Sequence, residues 1–418
     1  MLRLKHQEML ETLTNEVEQQ IRDHHHEIEE IALYNQAKVM GAFRDHHVSD
    51  FHFTPSTGYG YDDAGRDTLE SIYAQVFGGE AALVRPQIIS GTHAIATVLF
   101  GLLRPGDDLL YITGKPYDTL EEIVGIRGTG NGSLKEFDIG YHAIPLLESG
   151  WIDEETIRKS ITEQTKVIGI QRSKGYGDRP SYTVGQIQEM IQIVKSIKED
   201  VIVFVDNCYG EFVETREPCE VGADIMAGSL IKNPGGGIVK TGGYLVGKRE
   251  LVELASYRLA APGIGSEGGA SLYSLLEMYQ GFFLAPHVVS QALKGAIFTA
   301  AMLEKVGMNT TPKWSERRTD LIQSVTFSSS EEMITFCQAI QAASPVNAHV
   351  SPQPSPMPGY QDPVIMAAGT FIQGASIELT ADGPIRSPYV AYVQGGLTYE
   401  HVKIAVLQAI DSIIHLKK

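Results

Sequence analysis

The segment VIVFVDNCYG, residues 201–210, decides the fold. Its opening apolar run is nearly continuous, and the first charged side chain, Asp206, comes where that run ends. A strand without polar alternation is typical of a parallel sheet that is covered on both faces. The segment therefore predicts a buried strand with a carboxylate at its carboxyl end.

Strand-like and helix-like segments alternate on both sides of this strand. The predicted strands are residues 83–90, 108–113, 165–173, 201–210, 223–231 and 242–247. The predicted helices include residues 68–77, 93–103 and 184–198. This alternation predicts an α/β fold with a mostly parallel sheet sandwiched by helices.

The patterning divides the chain into three parts. Residues 1–50 indicate an N-terminal helical arm, because apolar residues there recur at helical spacing. Residues 51–286 form the large domain that carries the alternating segments. Residues 287–418 predict a smaller α+β C-terminal domain, which opens with a long helix over 287–305 and contains a proline-rich surface loop at 352–363.

The composition excludes several classes of protein. The chain has 418 residues, of which 43% are hydrophobic, as in a globular protein with a large core. The net charge of −17 argues against nucleic acid and anionic membranes as partners. Three cysteines without a C-x-x-C motif predict free thiols in a reducing compartment. With no signal-peptide core and no spanning apolar run, we expect a cytoplasmic protein.

A metal site is not expected. His24, His25 and His26 are consecutive, and adjacent helix residues point in different directions, so one face cannot gather all three. The acidic residues are spread along the chain without clustered ligand spacing.

Open α/β sheets bind ligands outside the carboxyl ends of their strands. Ser90, Gly91 and Thr92 follow the strand over 83–90 and open a helix. They could be a simple helix N-cap, or a cradle in which backbone N–H groups bind a phosphate. Tyr117 follows the next strand, and it could be ordinary packing or a ring-stacking residue.

Three charged residues follow later strands: Arg172, Asp206 and Lys232. Taken singly, Asp206 could be a turn residue and Lys232 a surface lysine. Their order after the cradle and the aromatic residue is what a pyridoxal 5'-phosphate (PLP) enzyme needs. A lysine forms a Schiff base with the cofactor aldehyde, and an aspartate keeps the pyridine nitrogen protonated. Glycines after Lys232 let the backbone pass close to the site.

Four segments resemble the cystathionine/methionine lyase family of fold-type I PLP enzymes. They are VFVDNCYGEFVE, KPYDTLEE, GSLIK and GPIRSPYVAYVQGGLTYEHVKIAVLQAI. The resemblance implies that Asp206 pairs with the ring nitrogen, Tyr117 stacks on the ring and Lys232 is the Schiff-base lysine. It also implies that Ser229 binds the phosphate and that Arg386 clamps the substrate carboxylate through a bidentate fork. The large domain is then the PLP-binding domain.

The chain departs from the family pattern at three places. Cys208 stands where the family usually has threonine, and Ile231 replaces a hydroxyl residue. The family also sends a Tyr-x-Arg loop from the neighbouring subunit to the phosphate. The corresponding loop here, GYGYDDAGRDTLE, offers Tyr59, Tyr61 and Arg66 but does not keep that spacing.

At finer grain, VRPQIISGTHAIATVLFGLLRPGDDLLYITGKPYDTLEEIVG and IQRSKGYGDRPS resemble the bacterial proteins called methionine gamma-lyase family or aluminium resistance proteins. The resemblance covers roughly residues 30–415. It implies carbon–sulfur lyase chemistry on a sulfur amino acid, in a homodimer or homotetramer with shared active sites.

The expected chemistry assigns Lys232 as the general base, with its pKa lowered by burial and by the positive ring. Tyr61 or Tyr117 would assist the elimination, and Arg172 would contact the cofactor or the substrate carboxylate. Alternatives are another fold-type I reaction such as transamination, or a cofactor-binding stress protein connected with aluminium tolerance. A nicotinamide oxidoreductase is disfavoured because no G-x-G-x-x-G follows the first strand.

Overall fold

The computed structural model describes residues 4–177, 179–358 and 360–416. The helices are α1 (Gln7–Gln20), α2 (Arg22–Asp45), α3 (Ala64–Phe77), α4 (Gly91–Leu102), α5 (Glu121–Val124), α6 (Glu154–Ser160), α7 (Val184–Ile197), α8 (Arg249–Leu259), α9 (Leu275–Lys305), α10 (Ser330–Ala342) and α11 (Tyr399–Leu416). The strands are β1 (Ala81–Arg85), β2 (Asp108–Tyr111), β3 (Gly140–Ala143), β4 (Thr165–Gln171), β5 (Ile202–Asp206), β6 (Ile225–Ser229), β7 (Gly243–Gly247), β8 (Asn309–Thr311), β9 (Gln323–Phe327), β10 (Val364–Ala367), β11 (Thr380–Pro384) and β12 (Tyr389–Gln394).

Strands β1 to β7 form one sheet in the order β1-β7-β6-β5-β4-β2-β3. The run β3-β2-β4-β5-β6 is parallel, and β7 is antiparallel to both of its neighbours. The predicted α/β class, with a mostly parallel sheet between helices, is confirmed. The arrangement aligns the carboxyl ends of β4, β5 and β6 at one edge of the sheet.

The apolar run of β5 is explained by two separate cores. Val203 and Val205 pack into the core that contains residues of α3, α7 and α9. Ile202 and Phe204 pack into the core that contains residues of α4 and α8. Because both faces of the strand are buried, each position is apolar until Asp206.

The second sheet is antiparallel, in the order β10-β11-β12-β9-β8. Helix α10 packs against this sheet, and α11 packs against α10 and α9. Helix α9 leads into this smaller domain and contains Pro286. The predicted boundary between residues 286 and 287 falls inside α9, so one continuous helix joins the two domains, and the long helix predicted at 287 begins earlier, at Leu275.

The N-terminal arm consists of α1 and α2 and packs on the rest of the chain. Val17 and Ile21 are fully buried in the same core as α9. The side-chain amide of Asn35 donates to the carbonyl oxygens of Phe212 and Glu214, at 3.1 and 3.0 Å. No helix in the described residues is sufficiently long and apolar to span a membrane.

Candidate functional site

The carboxyl ends of β4, β5 and β6 open onto a cavity of about 220 Å³. Its walls come from both domains, since residues of β12 and of the loop before β10 complete it. The cavity brings together most of the predicted site residues, namely Ser90, Gly91, Thr92, Tyr117, Asp206, Ser229 and Lys232.

The N-terminus of α4 forms one wall. Ser90 is the N-cap, with extended backbone, and its Oγ accepts from the N–H of His93 at 3.0 Å. The first N–H groups of a helix have no partner within it, and they favour an anion. A Cβ at Gly91 would stand 3.2 Å from the Sγ of Cys208 and 3.3 Å from the Cβ of Ser229, so glycine keeps this wall open. The two interpretations of these residues, a helix N-cap and a phosphate cradle, are therefore compatible.

Asp206 ends β5 on the floor of the cavity. Its carboxylate accepts from the backbone N–H of Cys208 at 3.1 Å. Burial raises the pKa of the Asp206 carboxyl, and the nearby Lys232 offsets that effect only in part. A buried carboxylate of this kind is stabilised by a cation or by a protonated ring nitrogen placed against it.

Lys232 stands in the turn after β6, with its Nζ 4.0 Å from the centroid of the Tyr209 ring. The glycines that follow allow this turn to pack against α9. A Cβ at Gly281 of α9 would lie 2.4 Å from the carbonyl oxygen of Gly235, and Gly236 has a φ of +54°. The close backbone approach predicted after Lys232 is thus made to a helix.

The pKa of Lys232 differs from the expectation. Burial lowers it, but the acidic groups of Cys208, Tyr209 and Asp206 raise it, and the net direction is upward. Burial thus acts in the expected direction, but in the protein alone these acidic groups outweigh it, and the expected net lowering is not found. Any lowering has to come from the positive charge of a bound group.

Three tyrosines that sequence reasoning did not single out join Tyr117 at the cavity: Tyr176, Tyr209 and Tyr360. The ring centroid of Tyr176 lies 5.8 Å from that of Tyr117 and 5.6 Å from that of Tyr360. The hydroxyls of Tyr117 and Tyr360 are hydrogen-bonded to each other. Tyr176 and Tyr209 lie in segments quoted for the family resemblance, whereas Tyr360 comes from the proline-rich loop, which carries no chemical motif.

Asp382 of β11 is a second buried carboxylate that the sequence did not reveal. It is fully buried and accepts from the Oγ1 of Thr380 at 3.1 Å and from the Nε2 of Gln394 at 3.2 Å. The hydroxyl of Tyr176 also donates to it. Burial raises the pKa of Asp382 to about 6, with its hydrogen bonds acting in the opposite direction.

The structure corrects the prediction that Arg172 contacts the cofactor or the substrate carboxylate. The side chain is completely buried below the cavity, where it pairs with Glu214 at 3.0 Å and Glu217 at 3.4 Å. It also donates to the Oδ1 of Asn207 at 2.9 Å. Because the chain turns after β4, the guanidinium points into this network and is absent from the described cavity lining.

Arg386, the predicted carboxylate clamp, also lies outside the cavity lining that the structure describes. Its side chain is 47% exposed and pairs with Asp362 at 3.0 Å. The residue stands between β11 and β12, on the surface of the smaller domain. As placed, it forms a half-exposed ion pair, and its charge also acts on Asp118, which follows Tyr117 in the chain.

The loop with Tyr59, Tyr61 and Arg66 lies away from this chain's own cavity. The rings of Tyr59 and Tyr61 are stacked, with centroids 5.4 Å apart, and both are exposed. The guanidinium of Arg66 is buried and donates to the carbonyl oxygens of Gly60 at 2.6 Å and Gly269 at 3.1 Å. Arg66 therefore stabilises the loop from within, while the two tyrosines are presented outward.

Comparison with known proteins places these features in context. The sequence profile described as methionine gamma-lyase matches residues 10–414. The uncharacterized Bacillus subtilis protein YnbB is 69% identical over 412 residues, covering 98% of each chain. A crystal structure from Listeria monocytogenes, provisionally called a cystathionine beta-lyase involved in aluminium resistance, is 69% identical with a TM-score of 0.95, covering 96% of this chain and 100% of that one. The Escherichia coli protein YhfS, described as pyridoxal-5'-phosphate dependent, shares the fold at 17% identity and a TM-score of 0.60, covering 92% of this chain and 96% of that one.

Proposed function

The chain belongs to the methionine gamma-lyase family, and on this premise we propose that it is a PLP-dependent carbon–sulfur lyase acting on a sulfur amino acid. The elimination would be of the methionine gamma-lyase or cystathionine beta-lyase type, giving ammonia, a keto acid and a thiol. One observation carries the proposal: the N-terminus of α4, Asp206 and Lys232 meet at a single cavity.

The residues present fit PLP. The start of α4 with Ser90, together with Ser229, would hold the phosphate, because a helix N-terminus with adjacent hydroxyls favours an anion. Asp206 would face the ring nitrogen, Tyr117 would pack on the ring, and the amine of Lys232 would bind the aldehyde covalently. When bound, PLP supplies an electron sink for the negative charge left on the α-carbon after proton removal.

The protein's own groups would do the rest. The carboxylate of Asp206 keeps a proton on the group that it faces, and its burial strengthens that interaction. The amine of Lys232, once free, takes the α-proton as general base. Tyr117 would assist at the leaving group from within the cavity, whereas Tyr61 could do so only in a partner's site. Apolar side chains of the wall, among them Ile95 and Ile231, exclude water.

We test the cofactor first. The purified protein should absorb in the near-visible range, borohydride should abolish that band, and peptide mapping should find the pyridoxyl group on Lys232. Lys232→Ala should remove covalent attachment and reduce turnover by about a thousandfold or more. Lys240→Ala is the matched control, because Lys240 is 74% exposed in a surface pair with Glu277. A protein that stays colourless with added PLP would contradict the proposal.

Products separate the alternatives. Incubation with L-methionine or L-cystathionine should release ammonia, a keto acid and a thiol, and incubation with L-cysteine should release ammonia, a keto acid and hydrogen sulfide. Amino transfer to a keto acid acceptor would instead indicate a transaminase. Bound cofactor with no turnover of any amino acid would leave a cofactor-binding protein and overturn the lyase assignment.

A further inference from the structure

The described lining of the cavity carries little positive charge. Of the described lining residues, Lys232 is the one with a cationic side chain, and PLP would engage it. The arginines that sequence reasoning offered, Arg172 and Arg386, are held elsewhere by carboxylates. The lining therefore has little positive charge to attract an anionic side chain of the substrate.

Tyrosine rings surround the remaining space. Tyr117 and Tyr360 meet edge to face, with centroids 6.2 Å apart and planes at 82°, and Tyr176 is tilted at 57° and 42° to them. With Tyr117 packed on PLP, the inclined rings of Tyr176 and Tyr360 would remain as a corner that attracts a cation, as aromatic cages do for methylated ammonium groups. Lys232 already places its ammonium 4.0 Å from the centroid of Tyr209 in this cavity.

A carboxylate supports this corner from behind. Asp382 holds the hydroxyl of Tyr176, and its remaining hydrogen bonds come from the neutral groups of Thr380 and Gln394. None of these three hydrogen-bond partners is positively charged, so none of them neutralises the carboxylate of Asp382 in an ion pair. At neutral pH the charge of Asp382 therefore adds to the negative potential of the ring faces.

We propose that this tyrosine corner, backed by Asp382, selects sulfur amino acids whose sulfur is positively charged, that is, sulfonium compounds such as S-methyl-L-methionine, over their neutral thioether counterparts. The inference rests on the proposed lyase function, because it names the substrate class of the same site.

The chemistry of the leaving group agrees with this choice. When the carbon–sulfur bond breaks, its electron pair goes to sulfur. A sulfonium leaves as a neutral dialkyl sulfide and needs no proton, whereas a thioether leaves as a thiolate that must be protonated. Burial raises the pKa of the Tyr117 and Tyr176 hydroxyls well above their ordinary values, so the help that Tyr117 can give to a departing thiolate is weak, and a sulfonium does not need it. S-Methyl-L-methionine and water would give dimethyl sulfide, 2-oxobutanoate, ammonium and one proton.

The test compares S-methyl-L-methionine with L-methionine on the holoenzyme, measuring 2-oxobutanoate by a coupled assay and dimethyl sulfide by gas chromatography. We expect kcat/KM for the sulfonium to be higher by about tenfold. Asp382→Asn should remove most of this preference, because the amide oxygen still accepts from Thr380 and Gln394 while the charge is lost. Asp45→Asn, the same change at an exposed residue of α2, should leave the ratio unaltered.

A binding measurement keeps the inference independent of turnover. Calorimetric titration of the holoenzyme with trimethylsulfonium chloride should give a binding constant several-fold tighter than that for the neutral tert-butanol, and Asp382→Asn should abolish the difference. Equal binding of the two probes, or a thioether preference in an active enzyme, would overturn the inference and leave the lyase assignment intact. Preferential binding of the cation by an enzyme that cleaves no carbon–sulfur bond would sustain the selectivity and overturn the lyase assignment.

Discussion

At the scale of single residues, Glu211 is a buried acid whose charge acts on Lys232. It is fully buried, its Oε1 accepts from the hydroxyl of Tyr244 at 2.7 Å, and its Oε2 lacks a hydrogen-bond partner among the described residues. Burial raises its pKa from an ordinary 4.5 to about 8. The neutral carboxylic acid is therefore the form that the folded protein prefers.

This preference predicts a pH dependence of stability. Between the two pKa values, 4.5 and about 8, the folded chain holds the proton of Glu211 while the unfolded chain has lost it. The contribution of this group to the free energy of unfolding is thus full below about pH 4.5 and declines as the pH rises to about 8. Glu211→Gln mimics the neutral acid, so its free energy of unfolding should be close to that of the wild type near pH 5 and exceed it at pH 8.5 by on the order of 5 kcal/mol.

Thermal unfolding of both proteins across this pH range checks the prediction. The Tm of Glu211→Gln minus that of the wild type should increase with pH. Glu155→Gln, on an exposed face of α6, should give a constant difference. Parallel Tm curves for wild type and Glu211→Gln would show that Glu211 is ionised in the folded protein at neutral pH.

At the scale of elements, the turn that carries Lys232 is positioned by its packing on α9. Gly281→Ala should favour the helix by about 1 kcal/mol on propensity alone. Its Cβ, however, would lie 2.4 Å from the backbone oxygen of Gly235, three residues beyond Lys232, so the turn or the helix must shift. We expect a Tm lower by several degrees and PLP binding weaker by about tenfold, since overpacking costs roughly 1–3 kcal/mol.

Gly41→Ala is the matched control for that prediction. Gly41 also lies within a helix, α2, but no atom stands within 4 Å of the Cβ that would be added. Its Tm should rise slightly, and PLP titration followed by absorbance should show unchanged affinity. Unaltered cofactor binding in Gly281→Ala would mean that the turn holds Lys232 without help from α9.

Element boundaries show where local sequence misleads. The strand predicted over residues 83–90 ends at Arg85, because Pro86 cannot donate a backbone hydrogen bond to the sheet. The opposite happens at Pro286, which signals a helix boundary in sequence but lies inside α9. That proline is buried, and most of α9 is buried around it, so tertiary packing offsets the missing backbone bond.

At the scale of the whole molecule, one surface indicates self-association. Tyr59 and Tyr273 are 77% and 86% exposed, and Leu272 and Leu276 are also exposed. Hydrogen bonds from Leu272 to Ser56 and from Gly269 to Tyr59 join their two loops, so the exposed apolar groups form one patch. We propose that a second copy covers this patch and that the loop of Tyr59 and Tyr61 reaches the partner's cavity.

Subunit mixing tests this arrangement. Lys232→Ala and the double variant Tyr59→Ala/Tyr61→Ala should each be nearly inactive alone. After they are mixed and reassembled, activity should return, because one site of each hybrid combines an intact lysine with an intact loop. Sedimentation velocity should show a dimer or larger species. A mixture that stays inactive, or a monomer that turns over substrate, would falsify shared sites.

The sequence by itself determined the parallel sheet and the meeting of the α4 N-terminus, Asp206 and Lys232. It could do so because each of these follows a buried strand, and the carboxyl ends of parallel strands meet at one edge. The sequence could not determine where the side chains of Arg172 and Arg386 point, since this direction depends on the turn after each strand and on neighbouring carboxylates.

Only the tertiary structure determined which side chains meet where the smaller domain closes the cavity. Tyr117 and Tyr360 are 243 residues apart, and Tyr176 and Asp382 are 206 apart, yet each pair is in contact. No local periodicity or motif encodes such contacts, because they form when the smaller domain closes over the edge of the sheet. The residues that follow the strands therefore indicate the chemistry proposed for the chain, while the proposed substrate preference depends on the packing of one domain on the other.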